Sequence, residues 1–559
     1  MNKMTPIAMA CALALAGCNG SNDNGTSDSS TDNQGLATTT LNISTKDYFD
    51  NTAIAGANVI VTEYMGDDTN TYSGITDENG DVAVTVYQNA DRLVVSSDAN
   101  SYGEYSAIVT NGDNSVELYL QPTTGVVTFP AAQDSDLAVN NLNIVSLSAN
   151  SLVDSDGNVA TGDVIAEITV IDPSVDPEFM PGNFETIDPT TGNTSQIESF
   201  GAVSVTFADS EGNKYNLSPD QTATVRIPLS TNSDSAPATI PLYYFDDQSG
   251  YWVEEGTATL VSDPNGDYYE GTVSHFTTWN ADMLYDSVEI SGCVQNATGS
   301  PLANASIRTQ GVDYSGRAYG YSNQNGQFTV SAKQNSEILL TATSLQGASR
   351  TFTRSTGSDD ETLPECITLG SASGSDSDVS ASVTLTWGEN PRDLDTQFIG
   401  PADASGDSRF LVYYGNKEVN LADSNIWLDV DDTTSFGPEV TSIDSFPYEG
   451  RYSYAVYRFA GSSDIQASPA RVKLEMGNET QVFAPPSGEP TICWAVFDFV
   501  VDANGGVSVE PVGSWQEERY CYPDLDEGNN NEVATQSRLP TLHKSTLVKD
   551  LISDKYYAK

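Results

Sequence analysis

Two acidic pairs in the last third of this 559-residue chain carry its densest potential chemistry. In an extended strand Asp393 and Asp395 stand on one face with Leu394 on the other, and Asp429 and Asp431 repeat the arrangement about Val430. Asp432 and Glu439 follow closely. If these strands converge, four or more carboxylates crowd together, and their repulsion requires a cation, water or partial protonation to offset it. Ca²⁺, a hard ion that prefers oxygen ligands, is the candidate cofactor, with Asp393, Asp395, Asp429, Asp431, Asp432 and Glu439 as the candidate ligands. The competing reading has the same side chains capping loops by accepting backbone N–H bonds.

Catalytic chemistry has little to work with. Only His275 and His543 are available as imidazole bases, one in an aromatic strand and one in the tail, whereas a nucleophile needs a base within hydrogen-bond reach. No H-x-x-E or CxxC spacing offers a zinc site. A glycosidase needs only two carboxylates, but among 78 acidic residues any one pair is uninformative. No catalytic residue is therefore predicted, and no enzyme is expected. Asp77-Glu78-Asn79-Gly80-Asp81 and Asp154-Ser155-Asp156-Gly157 lack the distal bidentate Glu of an EF-hand and read as turns. Tyr413, Tyr414, Trp427, Tyr452, Tyr454 and Tyr457 offer flat faces suited to sugar rings, although alternating aromatics also build sandwich cores.

The elements that must position these residues are strands. Short β-branched and aromatic alternations such as Val82-Ala83-Val84-Thr85-Val86 and Ala202-Val203-Ser204-Val205-Thr206-Phe207 recur between Gly, Asn and Asp clusters, which predicts an all-β chain. An internal repeat is visible: Ala55-Gly56-Ala57-Asn58-Val59, Thr76-Asp77-Glu78-Asn79-Gly80 and Gln88-Asn89 return as Ala303-Asn304-Ala305-Ser306-Ile307, Ser322-Asn323-Gln324-Asn325-Gly326 and Gln334-Asn335. Both copies resemble the carboxypeptidase regulatory-like, transthyretin-like β-sandwich, with Val82 standing in the first where Phe328 stands in the second. That resemblance implies tandem Ig/transthyretin-like β-sandwich domains, with Gly80 and Gly326 at a turn position of positive φ.

Between the copies, Ile240 to Asp246, Ser249 to Gly256 and Tyr269 to Asn280 resemble a β-rich extracellular module of bacterial surface proteins, and Trp252, Phe276 and Trp279 are expected in its core. Further on, Trp387-Gly388-Glu389-Asn390-Pro391-Arg392-Asp393-Leu394-Asp395, Leu428 to Thr433 with Phe436-Gly437-Pro438-Glu439, and Gly450 to Val456 resemble the YfaP-like domain of bacterial exported proteins, whose role is not established. The predicted organisation is signal peptide 1–17, tether 18–38, sandwich 39–124, β-rich module 125–288, sandwich 289–369, linker 370–378, YfaP-like domain 379–524 and tail 525–559. Within the tail, Leu547, Val548, Leu551, Ile552 and Tyr556 share one face of a short amphipathic helix. Of the three ways to join Cys293, Cys366, Cys493 and Cys521, pairing Cys293 with Cys366 and Cys493 with Cys521 keeps each bridge inside one domain.

The amino terminus supplies the address. Pro6 to Ala16 is almost wholly apolar, too short to span a bilayer, and it closes on Leu15-Ala16-Gly17-Cys18. This tetrapeptide resembles the bacterial lipobox, which implies cleavage before Cys18 and a diacylglycerol thioether and acylated amino terminus on that residue; Asn19 favours the outer membrane over the inner. Acidic residues outnumber basic ones 78 to 23, a net charge of −55 that repels nucleic-acid phosphates and anionic headgroups, so no nucleic-acid partner is expected. The chain reads as a lipid-anchored, non-enzymatic envelope protein of the outer membrane, on its surface or periplasmic face. Its expected role is binding or adhesion, with a calcium- or polysaccharide-binding sandwich, or else support of an envelope protein complex.

Overall fold

The computed structural model describes residues 37–522, apart from 67, 89, 110–113, 346, 371–379, 407, 423 and 478. The predicted signal segment with Cys18, the predicted tether up to residue 36, most of the predicted linker and the predicted tail helix lie outside the described residues. Within them, forty strands stand against one helical turn, Glu518–Cys521, and two 3₁₀ turns, so the chain is all-β as its alternation predicts. No described helix is long and apolar enough to cross a membrane.

Four sandwich-like modules follow one another. In the first, strand Thr38–Asp47 pairs antiparallel with Asp81–Tyr87 and parallel with Ser115–Leu120. This sheet covers a second one ordered Asp68–Ile75, Asn58–Met65, Arg92–Asp98 and Tyr105–Val109, with Leu41, Ile43, Val59, Val61, Val95 and Leu118 buried between them. The third module repeats the plan. Strand Ser287–Asn296 pairs antiparallel with Gln327–Lys333 and parallel with Glu361–Thr362 and Ile367–Leu369.

The repeat extends to single hydrogen bonds. In the first copy the Thr76 hydroxyl accepts from Ala57 N–H at 2.9 Å and donates to Ile54 C=O at 2.7 Å; Ser322 does the same between Ala305 and Leu302, at 2.9 and 2.7 Å. Gly80 and Gly326 take φ of +77° and +74°, and a Cβ at either would lie 2.5 or 2.4 Å from a carbonyl oxygen of the covering strand, Thr45 O or Val294 O. Only glycine satisfies both the left-handed backbone and the close approach.

The second module is one 13-stranded sheet system running from Gly125–Pro130 to Thr278–Leu284. Trp252 and Trp279 are fully buried in it, their indole N–H groups donating to Asn183 O and His275 O. Phe276 is buried too, so all three aromatics act as core. The fourth module packs a six-stranded sheet on a five-stranded one around Trp387, Phe398, Tyr452, Tyr454, Trp494 and Phe497. Disulfides join Cys293 to Cys366 and Cys493 to Cys521, the pairing that keeps each bridge within one module.

A tethered row of separate modules is what the linear layout suggests, yet the four converge on one buried ionic junction. Arg471 of the fourth module is 1 % exposed. Its guanidinium lies 3.7 Å above the ring of Tyr48 from the first module, donates to the Tyr48 oxygen at 2.7 Å, and pairs with Asp176 and Glu178 of the second at 3.1 and 3.3 Å. Tyr48 in turn donates to Asp176. Lys473 also pairs with Glu178, and Arg308 of the third module reaches the same carboxylate at 3.1 Å. Burial alone would raise the pKa of Glu178, but Lys473, Arg471 and Arg308 hold it well below the ordinary carboxylate range.

Candidate functional site

The fourth module places the predicted acidic residues at one end of its sandwich. Strand Asp393–Pro401 belongs to the five-stranded sheet and is buried along its whole length, while Glu439–Ile443 belongs to the facing six-stranded sheet. The preceding loops cross: Trp387 N–H bonds Phe436 O and Phe436 N–H bonds Gly388 O, both at 3.3 Å, which fixes the 387–392 segment against the 432–438 segment. Asp395, Asp431 and Glu439 thereby come together, each offering an oxygen within 4.8 Å of the others.

Each of these carboxylates is held by a neighbour. Glu439 accepts the Thr396 N–H at 2.6 Å, Asp395 accepts the Tyr522 hydroxyl at 3.3 Å, and Asp431 pairs with Lys417 at 2.8 Å. Asp395 and Glu439 are fully buried. Asp432 sits close by: burial raises its pKa, its N–H and O–H bonds from Thr434 oppose the rise, and the charges of Asp393 and Asp431 add to it. Asp393 is itself fully buried. Five of the six residues thus share one neighbourhood, a concentration of oxygen donors of the kind Ca²⁺ takes.

Asp429 stands apart. A bulge between Leu428 and Val430 in the pairing with strand Glu439–Ile443 inserts Asp429 as an extra residue, which breaks the two-residue alternation that would have aligned it with Asp431. Its carboxylate accepts from Arg350 Nε, from the Thr351 N–H and from the Ser442 hydroxyl at 2.8, 2.8 and 2.6 Å. Since Arg350 and Thr351 belong to the third module, Asp429 clasps two modules together. Arg350 also lies 4.3 Å over the ring of Trp427.

The aromatic residues near this site face inward or are covered. Tyr413, Tyr414, Tyr452 and Tyr454 are buried, Trp427 carries Arg350, and Tyr457 meets the edge of Tyr522 at 4.6 Å between ring centres. Four of the six therefore belong to the core, while Trp427 and Tyr457 are half-buried. His275 is packed between Tyr244 and Trp279 with Glu255 at 3.7 Å, and burial lowers its pKa. The Asp77 and Asp154 segments are turns, each aspartate accepting two backbone N–H groups within its own loop.

What the motif reading misses is the use of the basic residues. Eight side chains bridge modules: Arg92, Lys214, Arg308, Arg317, Lys333, Arg350, Arg471 and Lys473. That is a third of the 23 basic residues in the chain. Scarcity was the available signal. In so acidic a protein a buried cation has carboxylate partners in every direction, so its placement marks where separate surfaces meet.

No known protein family matches the chain, and no curated protein does. Among solved structures the chain is similar to the Bacillus anthracis TIE protein at 10 % identity, covering 59 % of this chain and 50 % of that one with a TM-score of 0.13. It is also similar to BcpA, the major pilin subunit of Bacillus cereus, at 8 % identity over 60 % of this chain and 100 % of that one, TM-score 0.14. The full-length major pilin SpaD from Corynebacterium diphtheriae is 9 % identical over 60 % of this chain and 98 % of its own, TM-score 0.14.

Proposed function

We propose that this protein is a non-enzymatic lipoprotein of the bacterial outer membrane, anchored through Cys18 and working as a rigid binding or adhesion body. The observation that carries this reading is the inter-module bracing: cationic side chains tie four sandwiches to one another, so the body keeps its shape as a unit. A protein that holds a ligand or a neighbouring surface at a fixed distance from a membrane needs that stiffness. Its anchor is tested by mass spectrometry of the mature amino terminus together with a Cys18→Ser variant. A diacylglycerol-modified Cys18 in the parent and a released, freely diffusing variant are expected; an unmodified parent cleaved elsewhere rejects the anchor. Protease shaving of intact cells then separates adhesion, which requires exposure, from support of a periplasmic complex, which requires protection.

The acidic group of the fourth module is the calcium site of this reading, with Asp395, Asp431 and Glu439 as ligands and Asp393 and Asp432 beside them. Its support is the convergence of three carboxylates across the two sheets. Calcium at about 100 times its dissociation constant should stabilise the body by about 2.7 kcal/mol. Asp395→Asn and Glu439→Gln should abolish that gain. Absence of both calorimetric heat and a melting shift at millimolar calcium removes the site.

A further inference from the structure

The first and second modules meet at a second joint, away from the Arg471 junction, around a cavity of about 40 Å³. Its wall carries Ser96, Ser97, Asp98 and Glu104 from the first module and Asp247 and Thr277 from the second. The volume admits water, which needs roughly 10 to 15 Å³. The buried Ser97 hydroxyl has no hydrogen-bond partner in the protein. Across the joint the Ser106 carbonyl accepts the Gly182 N–H at 2.6 Å, and the Ser96 hydroxyl reaches Asp247 O at 3.4 Å.

The charges around this cavity are unbalanced. Glu104 faces Asp98 on strand Arg92–Asp98, Asp247 in the turn after strand Thr239–Asp246, and Lys214 at the head of strand Lys214–Leu217. Lys214 pairs with Asp98 at 2.6 Å, and its charge is further drawn on by Glu167. Asp246 adds to the negative side next to Asp247. Tyr105 also lines the cavity, but the charges acting on its hydroxyl are those of Arg317 and Glu178. One exposed ammonium thus answers several carboxylates at this joint, where Asp98 and Glu104 are half-buried and Asp247 is exposed.

We propose that Glu104 makes this joint a proton-operated latch, closed while the carboxyl carries its proton and loosened when it ionises. Burial, reinforced by Asp98 and opposed by Lys214, pushes the pKa of Glu104 from 4.5 up to about 7. A group raised in the closed state favours closure fully below its open-state value. That advantage is lost as pH rises from about 4.5 through about 7, and it changes no further above. The Arg471 junction responds oppositely, because Glu178 is held ionised there and acid is what weakens it.

The Gly182 N–H, whose acceptor lies across the joint, reports closure directly. Its hydrogen-exchange protection in the full chain, corrected for intrinsic exchange at each pH, should fall roughly 70-fold between pH 5 and 8. Amides of strand Cys493–Val501 in the fourth module serve as the control. Glu104→Gln should hold Gly182 at the wild-type pH 5 level throughout, and Asp247→Asn should shrink the fall by removing one repelling charge. Protection that stays constant in the wild type, or a Glu104→Gln protein that follows the wild-type curve, overturns the latch. If Glu104→Gln fails to fold, the wild-type and Asp247→Asn series decide: an undiminished fall in Asp247→Asn overturns it.

Discussion

An Arg471→Met protein is expected to be about 3 to 5 kcal/mol less stable than its parent, the usual consequence of deleting one partner from a buried ionic group. Methionine keeps most of the aliphatic volume but leaves Asp176 beside Tyr48 without its cation, and leaves Glu178 to Lys473 and Arg308 alone. The cost arises because desolvated carboxylates lose the charge that compensated their transfer from water. Arg471 touches the first and second modules from the fourth, so the change should also split a shared unfolding transition into separate ones. Denaturant unfolding followed by tryptophan fluorescence, with Trp252 and Trp279 in the second module and Trp387 and Trp494 in the fourth, distinguishes the two outcomes. A single transition with an unchanged midpoint would show that the modules do not depend on this junction.

Removing the Cys293–Cys366 bridge should have an effect of similar size. The cysteines are 73 residues apart, and closing a loop of that length lowers the entropy of the unfolded chain by about 4 kcal/mol at room temperature. In the folded protein the bridge ties strand Ser287–Asn296 to Ile367–Leu369, a strand of three residues that closes the third module with few backbone bonds of its own. The paired substitution Cys293→Ser and Cys366→Ser should therefore lower the melting temperature and expose the Ile367–Leu369 amides first. Cys493 and Cys521 enclose a shorter loop of 28 residues, so their removal should cost less. That bridge pins the turn Glu518–Cys521, from which Tyr522 reaches Asp395, so reduction should disturb the acidic group as well.

Much of the local structure is written in the chain itself. Alternating β-branched runs become strands, Asp77 and Asp154 become turns, and the repeated segments fold into two copies that share even the Thr76 and Ser322 bonds. These features depend on residues within a few positions of each other, where backbone sterics and short-range hydrogen bonds decide the outcome. The disulfide pairing rested instead on keeping each bridge inside one domain, across 73 and 28 residues, and the fold decided among the three ways to join the cysteines. The acidic site was only partly legible. Regular alternation groups Asp429 with Asp431, but a bulge one residue long sends Asp429 to Arg350 in another module. A bulge depends on how the neighbouring strand is matched, which no period along a single strand records.

The sequence alone determined the class of fold, the duplicated sandwich and the acidic surplus, because each is a property of composition or of near neighbours. Only the tertiary structure decided which carboxylates meet, which aromatics of the fourth module are buried, how the cysteines pair and how the modules are joined. Tyr48 and Arg471 lie 423 residues apart and share no motif. Their contact exists because a charge withdrawn from water must find its partner wherever the packed surfaces bring one, and that placement belongs to the assembled body.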